Sequence, residues 1–566
     1  MATLHFKGKS AVWNHHLSVP YQTLDPVAKM SHKGKDDEEN LIIEGDNLIA
    51  LKALLPKYQG KIKCIYIDPP YNTGNEGWVY SDNVSNPIIK SWIGETVGKE
   101  GEDLTRHDKW LCMMTPRMKL LRELLADDGV IFVSIDEKEI HHLKILMIDI
   151  FGDKNFVDQI IIQSNPRGSQ ASKHFAVTHE YLLVFAKNEE LLTLGGKTKE
   201  NENEYSSYDK ELGPYRLLGL RQRGGAWKRS DRPNMFYPIY VNPKNGEVSL
   251  EKTKEHSIEV IPIRPSSNEE GRWTWSSDKV RAENHLLIGK EINRNGENES
   301  WDIFRKDYLL DNDGTQKTSK MKTIWDEKTM NYQAGRKSLK DLFDGKDLFD
   351  YPKPVDLVKK VITAGAESDS LILDSFAGSG TTAQAVLELN KEDGGNRKFI
   401  LVQIPEETGK DSAAYKAGYK TVQEITQARV KKVIERDGLD TGFTYYKLGQ
   451  QIDADGILSG ELPSYDDFAK YVYYLATGKN YPAKSKVDEK KYFVGKDENT
   501  AVFLVYENDF EELKSMALTL ELAKDLHKQH DGRKIVYAPA CFLDEYHLDQ
   551  FNITFVGIPF NLFERN

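Results

Sequence analysis

The sequence predicts an α/β fold: an open, largely parallel sheet covered on both faces, interrupted by an inserted module and followed by a smaller α/β tail. Three observations predict it. Short aliphatic runs bounded by turn residues alternate with stretches of helical periodicity, the pattern of βα units. Two of the strand-like runs end in unusual turns, Ile65-Tyr66-Ile67 in Asp68-Pro69-Pro70-Tyr71 and Leu371-Ile372-Leu373-Asp374 in Phe376-Ala377-Gly378-Ser379-Gly380. Between them the βα rhythm is lost.

In chain order, residues 1–40 are polar and irregular, and the charge run Lys33 to Glu39 reads as a solvated approach to the first core strand. The first part of the main domain, 41–190, starts with strand Leu41 to Ile43, turn Gly45-Asp46-Asn47, helix Leu48 to Leu55 and strand Ile62 to Ile67. A helix from Trp110 to Ala126 and strand Gly129 to Ile135 follow, then helix Ile140 to Ile150 and strands around Ile161 and Leu183. Residues 191–335 form the insert, rich in Gly, Pro, Trp and Asn with short β-like runs such as Ile258 to Ile263. The second part, 336–450, resumes with helix Val355 to Thr363, strand Leu371 to Leu373, helix Thr381 to Leu389, strand Phe399 to Val402 and one long helix, Ala413 to Glu435. The tail, 455–566, reads as an assembly domain with helices near Phe468 to Ala476 and Phe510 to His527.

Composition narrows the function classes. At 566 residues and 39% apolar content the chain can bury several cores. No apolar stretch approaches the ~20 residues of a membrane span, and the first residues lack a secretory apolar core, so the expected location is the cytoplasm. Cys64, Cys112 and Cys541 have no metal-type spacing, so neither disulfides nor a metal are expected. A net charge of −11 argues against a protein that coats nucleic acid indiscriminately, and nucleic-acid contact requires a local basic island.

The turns carry chemistry. The exocyclic amine of a base is a poor nucleophile because its lone pair is delocalised into the ring, and hydrogen-bond acceptors draw that density back. Asp68 supplies a carboxylate and Pro69 a carbonyl, Pro69 and Pro70 stiffen the turn so both are aimed in advance, and Tyr71 offers a stacking face. In a duplex the nucleotide must first be extruded, at a few kcal/mol. The plainer reading is a strand-end turn with a buried tyrosine. The glycine turn lets a ligand approach the backbone and the N–H groups opening the next helix. It lacks the lysine of a phosphate loop, and that pattern occurs nowhere in the chain, which argues against an ATPase or helicase. Asp46 is read either as a partner for an adenosyl amino group or as a helix cap.

These motifs, with Lys7-Gly8-Lys9, Asn14-His15-His16, Gly45 to Leu48, Ile67 to Gly74, Thr178 to Lys187, Tyr351-Pro352-Lys353-Pro354 and Asp374 to Thr382, resemble the β-class DNA amino-methyltransferases over most of the chain. More narrowly the chain resembles the modification subunit of type III restriction-modification systems. The resemblance implies a circularly reordered Rossmann-like fold that binds S-adenosyl-L-methionine, with a target-recognition insert. It implies that Asp374, Phe376, Ala377, Gly378, Gly380, Thr381 and Thr382 line the donor pocket and that Lys353 lies near its methionine end. Gln403, or Glu406, stands where such enzymes hold the ribose with an acid. Adenine N6 is implied over cytosine N4, where serine is commoner in place of Asp68. Methylation at cytosine C5 is disfavoured because no cysteine follows a proline.

The insert holds Arg216, Arg221, Arg223, Lys228, Arg229 and Arg232 with Asp231 as the one acid among them, and Arg272-Trp273-Thr274-Trp275 further on. Both segments are candidate surfaces for double-stranded DNA, against the alternatives of a solvated loop and a packed apolar strand. The resemblance also implies a homodimer and a separate ATP-dependent restriction subunit. The rival to an enzyme is a DNA-binding subunit that has lost methylation and delivers a nuclease.

Overall fold

The computed structural model describes residues 3–35, 39–72, 105–168, 174–198, 205–210, 212–294, 297–310, 318–452, 462–479, 481 and 487–558. Thr73 and Gly74 of the extended motif, and Asp36 to Glu38 of the charge run, lie outside the described residues. The chain divides into two compact units, Met1–Gly195 with Lys322–Asn566, and Gly196–Met321. The second therefore begins and ends inside the 191–335 expected for the insert. No described helix is long and apolar enough to cross a membrane.

The first unit is built on a 10-stranded sheet. Its strands are β1 (Tyr21–Pro26), β2 (Leu41–Glu44), β3 (Ile62–Ile67), β4 (Leu125–Ile135), β5 (Phe156–Ile162), β6 (Glu180–Ala186), β7 (Ile324–Trp325), β8 (Leu371–Asp374), β9 (Lys398–Gln403) and β10 (Thr444–Ile452). In space they run β1-β10-β2-β9-β8-β3-β4-β6-β5-β7. The six from β10 to β4 are parallel to their neighbours, and Ile62 and Cys64 to Ile67 on β3 are buried, as a central strand covered on both faces requires. From β3 the chain goes on to β4 on one side, and from β8 to β9 on the other. The order thus reverses between β3 and β8, the switch point at which open α/β sheets open a crevice beyond their carboxyl ends. Ile372 pairs with Cys64 and Leu373 with Ile65, so Asp68 and the glycine turn leave the sheet side by side.

Several expectations are corrected. The sheet is mixed: β6 runs antiparallel to both β4 and β5, and β1 antiparallel to β10. Residues 1–40, expected to be irregular, supply β1 to the sheet, and Val12, His16 and Val19 among them are buried. The long helix from Ala413 is two, Ala413–Lys416 and Val422–Asp437, because Gly418 takes φ +97° and Thr421 starts a new helix by accepting the Glu424 N–H. The helix expected over Phe510 to His527 likewise breaks into Phe510–Ser515 and Leu520–Gln529, the second capped by Thr519.

The tail packs helix Tyr465–Thr477 on a four-stranded sheet of Phe493–Asp497, Thr500–Leu504, Arg533–Ala538 and Ile553–Gly557. Its Tyr471 ring stacks on Tyr21 of β1 at 4.4 Å between centroids. The second unit has its own core, in which Leu220, Val241, Trp273, Trp275 and Ile303 are buried together.

Candidate functional site

The crevice at the switch point is a cleft of about 570 Å³ within the first unit. Its lining includes Asp68, Pro69, Pro70 and Tyr71 from the end of β3, Asp374, Phe376, Ala377, Gly378, Thr381 and Thr382 from the end of β8, and Lys353. A volume of this size suits a small organic ligand.

The acid turn is clamped from behind. Trp110, on helix Arg106–Leu124, donates its indole N–H to the Pro70 carbonyl at 2.6 Å. Asn72 sits in the left-handed region at φ 58° and donates to the buried Glu139 carboxylate at 2.6 Å. His107 and His142 each place Nδ1 on the same carboxylate, at 2.6 and 2.8 Å. His107, Glu139 and His142 form the one group among the described residues whose potential ligand atoms converge as metal ligands do, all within 4.8 Å of one another.

At the front, Lys353 is a buried ammonium. It donates to both Glu180 oxygens at 2.9 and 2.8 Å and to the Tyr71 hydroxyl at 2.5 Å, and lies 3.3 Å from Asp68 Oδ1. Burial pulls its pKa down, but Asp68 and Glu180 more than offset that and leave it raised. Glu180 also accepts from the hydroxyls of Tyr71 at 3.2 Å and Tyr332 at 2.8 Å. Asp68 keeps 26% of its side chain open to the cleft, while its Oδ1 is buried beside the Lys353 ammonium. Burial pushes its carboxyl up to about 6, against the pull of Lys353.

The glycine turn is held by its own polar network. Asp374 accepts from the Phe376 N–H at 3.0 Å and from the Thr382 hydroxyl, yet burial still pushes it up to about 7. Gly378 has φ 52° and would carry a Cβ no nearer than 3.7 Å to Phe349, so it faces the cavity, whereas a Cβ on Gly380 would come 3.1 Å from Thr426. Arg429, fully buried, donates to Ser379 Oγ and Thr381 Oγ1 at 2.8 Å and to Gln384 Oε1 at 2.8 Å.

Three residues expected at the donor pocket lie behind its wall. Asp46 caps helix Asn47–Tyr58 through the Leu48 N–H at 2.7 Å and pairs with Arg117 at 2.9 Å, which is the capping alternative. Gln403 accepts the Gly378 N–H at 2.7 Å and so braces the turn from within. Gly380 meets the helix behind it. Lys353 lines the cleft, but its ammonium points at the acid turn and Glu180. Sequence reasoning missed Glu180 and Tyr332 as functional residues. An acid opening the apolar run Tyr181 to Ala186 was the available signal for Glu180; Tyr332 had none.

The basic island of the second unit is largely spent internally. Arg216 pairs with Asp307 at 2.9 Å, Arg221 with Asp302, Lys228 with Glu269 at 3.6 Å and Arg229 with Glu270 at 2.9 Å. Arg272 is buried and donates to the carbonyls of Ala226 and Trp273, while Trp273 and Trp275 pack in the core, so this segment is no exposed surface. Arg223 and Arg232 are exposed, with no side-chain hydrogen bond or ion pair to another described residue.

A doubly wound sheet whose switch point sets a proline-stiffened acid beside a glycine turn has its crevice where open α/β folds bind their ligands. Residues 62–414 match the family model described as DNA methylase, and the chain belongs to that family. It is 35% identical to the EcoPI Mod subunit of a type III restriction-modification enzyme from Escherichia phage P1, over 74% of this chain and 66% of that one. It is also 35% identical to the type II methyltransferase M.KpnI of Klebsiella pneumoniae, over 70% of this chain and 88% of that one. The StyLTI Mod subunit of Salmonella typhimurium is 33% identical over 73% of this chain, which spans 60% of that relative. Among solved structures the cytosine-N4-specific PvuII DNA methyltransferase is 12% identical with a TM-score of 0.32, covering 70% of this chain and 93% of its own.

Proposed function

We propose that this chain is a site-specific DNA methyltransferase that moves a methyl group from S-adenosyl-L-methionine to N6 of an extruded adenine, as the modification and recognition subunit of a type III restriction-modification system. The observation that carries the reading is that the acceptors of Asp68-Pro69 and the open backbone of Gly378 face one cleft.

The residues fit such a donor. Phe376, Phe349 and Tyr351 give flat apolar walls, Gly378 leaves room at the backbone, and the carboxylates of Asp68, Asp136, Glu137, Asp350 and Asp374 outnumber Lys138 and the paired Lys353. That balance suits a cationic ligand. Phe376, Ala377, Gly378, Thr381 and Thr382 would hold it, and when bound it supplies an electrophilic methyl group on a sulfonium.

The chain's own residues do the rest. The Asp68 carboxylate and the Pro69 carbonyl accept the two amine N–H groups, returning electron density to nitrogen. Tyr71 offers its ring to stack on the base, and its hydroxyl accepts from Lys353 at 2.5 Å. The acid in this position favours adenine over cytosine. Arg223 and Arg232 contact DNA phosphates, two copies of the chain assemble, and cleavage is left to a separate ATP-dependent subunit.

The test is incubation of the purified protein with DNA and labelled methyl donor, followed by nucleoside analysis. Label in N6-methyladenine, lost by about 10²–10³-fold in Asp68→Ala, is the expected result. Label in N4-methylcytosine would move the target to cytosine, and undiminished activity in Asp68→Ala would remove the role given to the acid.

A further inference from the structure

The cleft contains a charge arrangement that the transfer reaction does not by itself require. A lysine drawn from between helix Tyr332–Leu342 and helix Val355–Gly365 is buried against two acids from different strands. Its backbone is wedged, because a Cβ on Gly335 would lie 2.2 Å from the Pro352 carbonyl oxygen. Only 7% of the Lys353 side chain is exposed. Glu180 holds it through two hydrogen bonds, and Tyr332 and Tyr71 hold Glu180. Asp68 receives the remaining side of the same ammonium on its buried Oδ1, at 3.3 Å.

We infer that Lys353 and Glu180 are positioning residues acting through Asp68: Lys353 keeps the acid ionised from its buried Oδ1 side, and Glu180 holds Lys353 there so that the exposed part of the carboxylate stays open to the amine. The inference rests on the reading of Asp68 as the acceptor. A lone lysine beside Asp68 would close on it and occupy the oxygen the base needs. A lone acid in this half-sealed crevice would take up a proton and become a donor, which repels an amine N–H. Only the two together leave an ionised acid with part of its carboxylate open to the cleft. The other groups around Asp68 do not replace them. Tyr66 and Tyr71 on its own segment, Tyr332 from the neighbouring helix and Asp374 from β8 are phenols held far above neutrality or a further acid, and none supplies a positive charge.

The two partners therefore act on Asp68 in opposite senses, which a purely structural role would not do. Two readouts are needed: the pH profile of single-turnover methylation, and, without any methyl donor, the affinity ratio for duplexes carrying adenine or unsubstituted purine at the target. That ratio reports the hydrogen bonds made to the amine. In Lys353→Met the acidic limb of both profiles is expected to move to higher pH by about one unit, a tenfold loss at the lower end that recovers as pH rises. In Glu180→Gln the limb is expected to move to lower pH while the plateau and the adenine preference fall severalfold. Should Lys353→Met fail to fold, the downward shift in Glu180→Gln and an intermediate limb in the Lys353→Met/Glu180→Gln double variant test the same claim. Limbs that coincide with the unmodified protein, or that move in the same direction in both single variants, overturn it. Loss of adenine preference in Asp68→Asn with unmoved limbs in the other variants would leave the acceptor reading intact and remove only this inference.

Discussion

The Lys353 ammonium and the Glu180 carboxylate meet inside the cleft at 2.9 and 2.8 Å, although 173 residues separate them in sequence. A buried ion pair of this kind contributes little net stability, since desolvation of both charges offsets most of their attraction. Its value lies in what it orients. Around it Tyr71, Tyr332 and Asp68 are brought into one network from four separate segments of the chain.

The indole of Trp110 fixes the acid turn through the Pro70 carbonyl. Trp110→Phe keeps the packing and leaves that carbonyl unsatisfied, at a cost of about 1–3 kcal/mol. Urea unfolding should show the loss. Single-turnover methylation should slow with little change in donor KM, because the acceptors and not the donor pocket are displaced; a change confined to KM would contradict this.

Arg429 ties Ser379, Thr381 and Gln384 together beneath the glycine turn. Arg429→Met removes those bonds, and unfolding free energy should fall by about 3 kcal/mol. Donor affinity measured by calorimetry is expected to weaken about tenfold, with DNA affinity nearly unchanged. Equal weakening of both ligands would point to general damage.

Asp374 makes stability depend on pH. Its carboxyl is pushed up by burial to about 7. A group raised in the folded state contributes its stability below the unfolded value and loses it as pH rises through the folded one. Unfolding free energy should therefore decline from about pH 4 to 7, by at most roughly 4 kcal/mol from this group. Asp374→Asn, which does not ionise, should flatten that decline, and parallel curves for the two proteins would assign it to other groups.

In the second unit, exposed and paired arginines should behave differently. Arg223→Ala is expected to lower DNA affinity similarly for all sequences and to reduce the salt slope by about one. Arg221→Ala strands the buried Asp302 carboxylate and should cost about 3–5 kcal/mol of stability. Fluorescence anisotropy at several salt concentrations, alongside thermal unfolding, separates the two; a destabilised Arg223→Ala would place that residue with the structural arginines.

The α/β class, the two special turns and the interruption between them were legible from residue order, because strand-forming runs and turn chemistry are local properties. Helix ends such as those around Gly418 and Thr519 were blurred, since a helical period runs on across a cap unless the capping residue is recognised. The N-terminal strand β1 was invisible: five of its six residues pair with β10, more than 400 positions away. The basic island was legible as composition but not as surface, because Asp302, Asp307, Glu269 and Glu270, which neutralise much of it, come from later in the chain.

By itself, the order of residues determined which chemistry is on offer: an acid stiffened by prolines, a glycine bend able to admit a ligand, and an aromatic between them. Tertiary structure alone decided how these groups are charged and which are spent. Lys353 became the cation beside Asp68 rather than a free donor ligand, Gln403 a brace, and Asp46 a cap. The physical reason is that hydrogen bonding and electrostatics act over a few ångströms of space, and strand order, which sets those distances, is the outcome of packing the whole sheet.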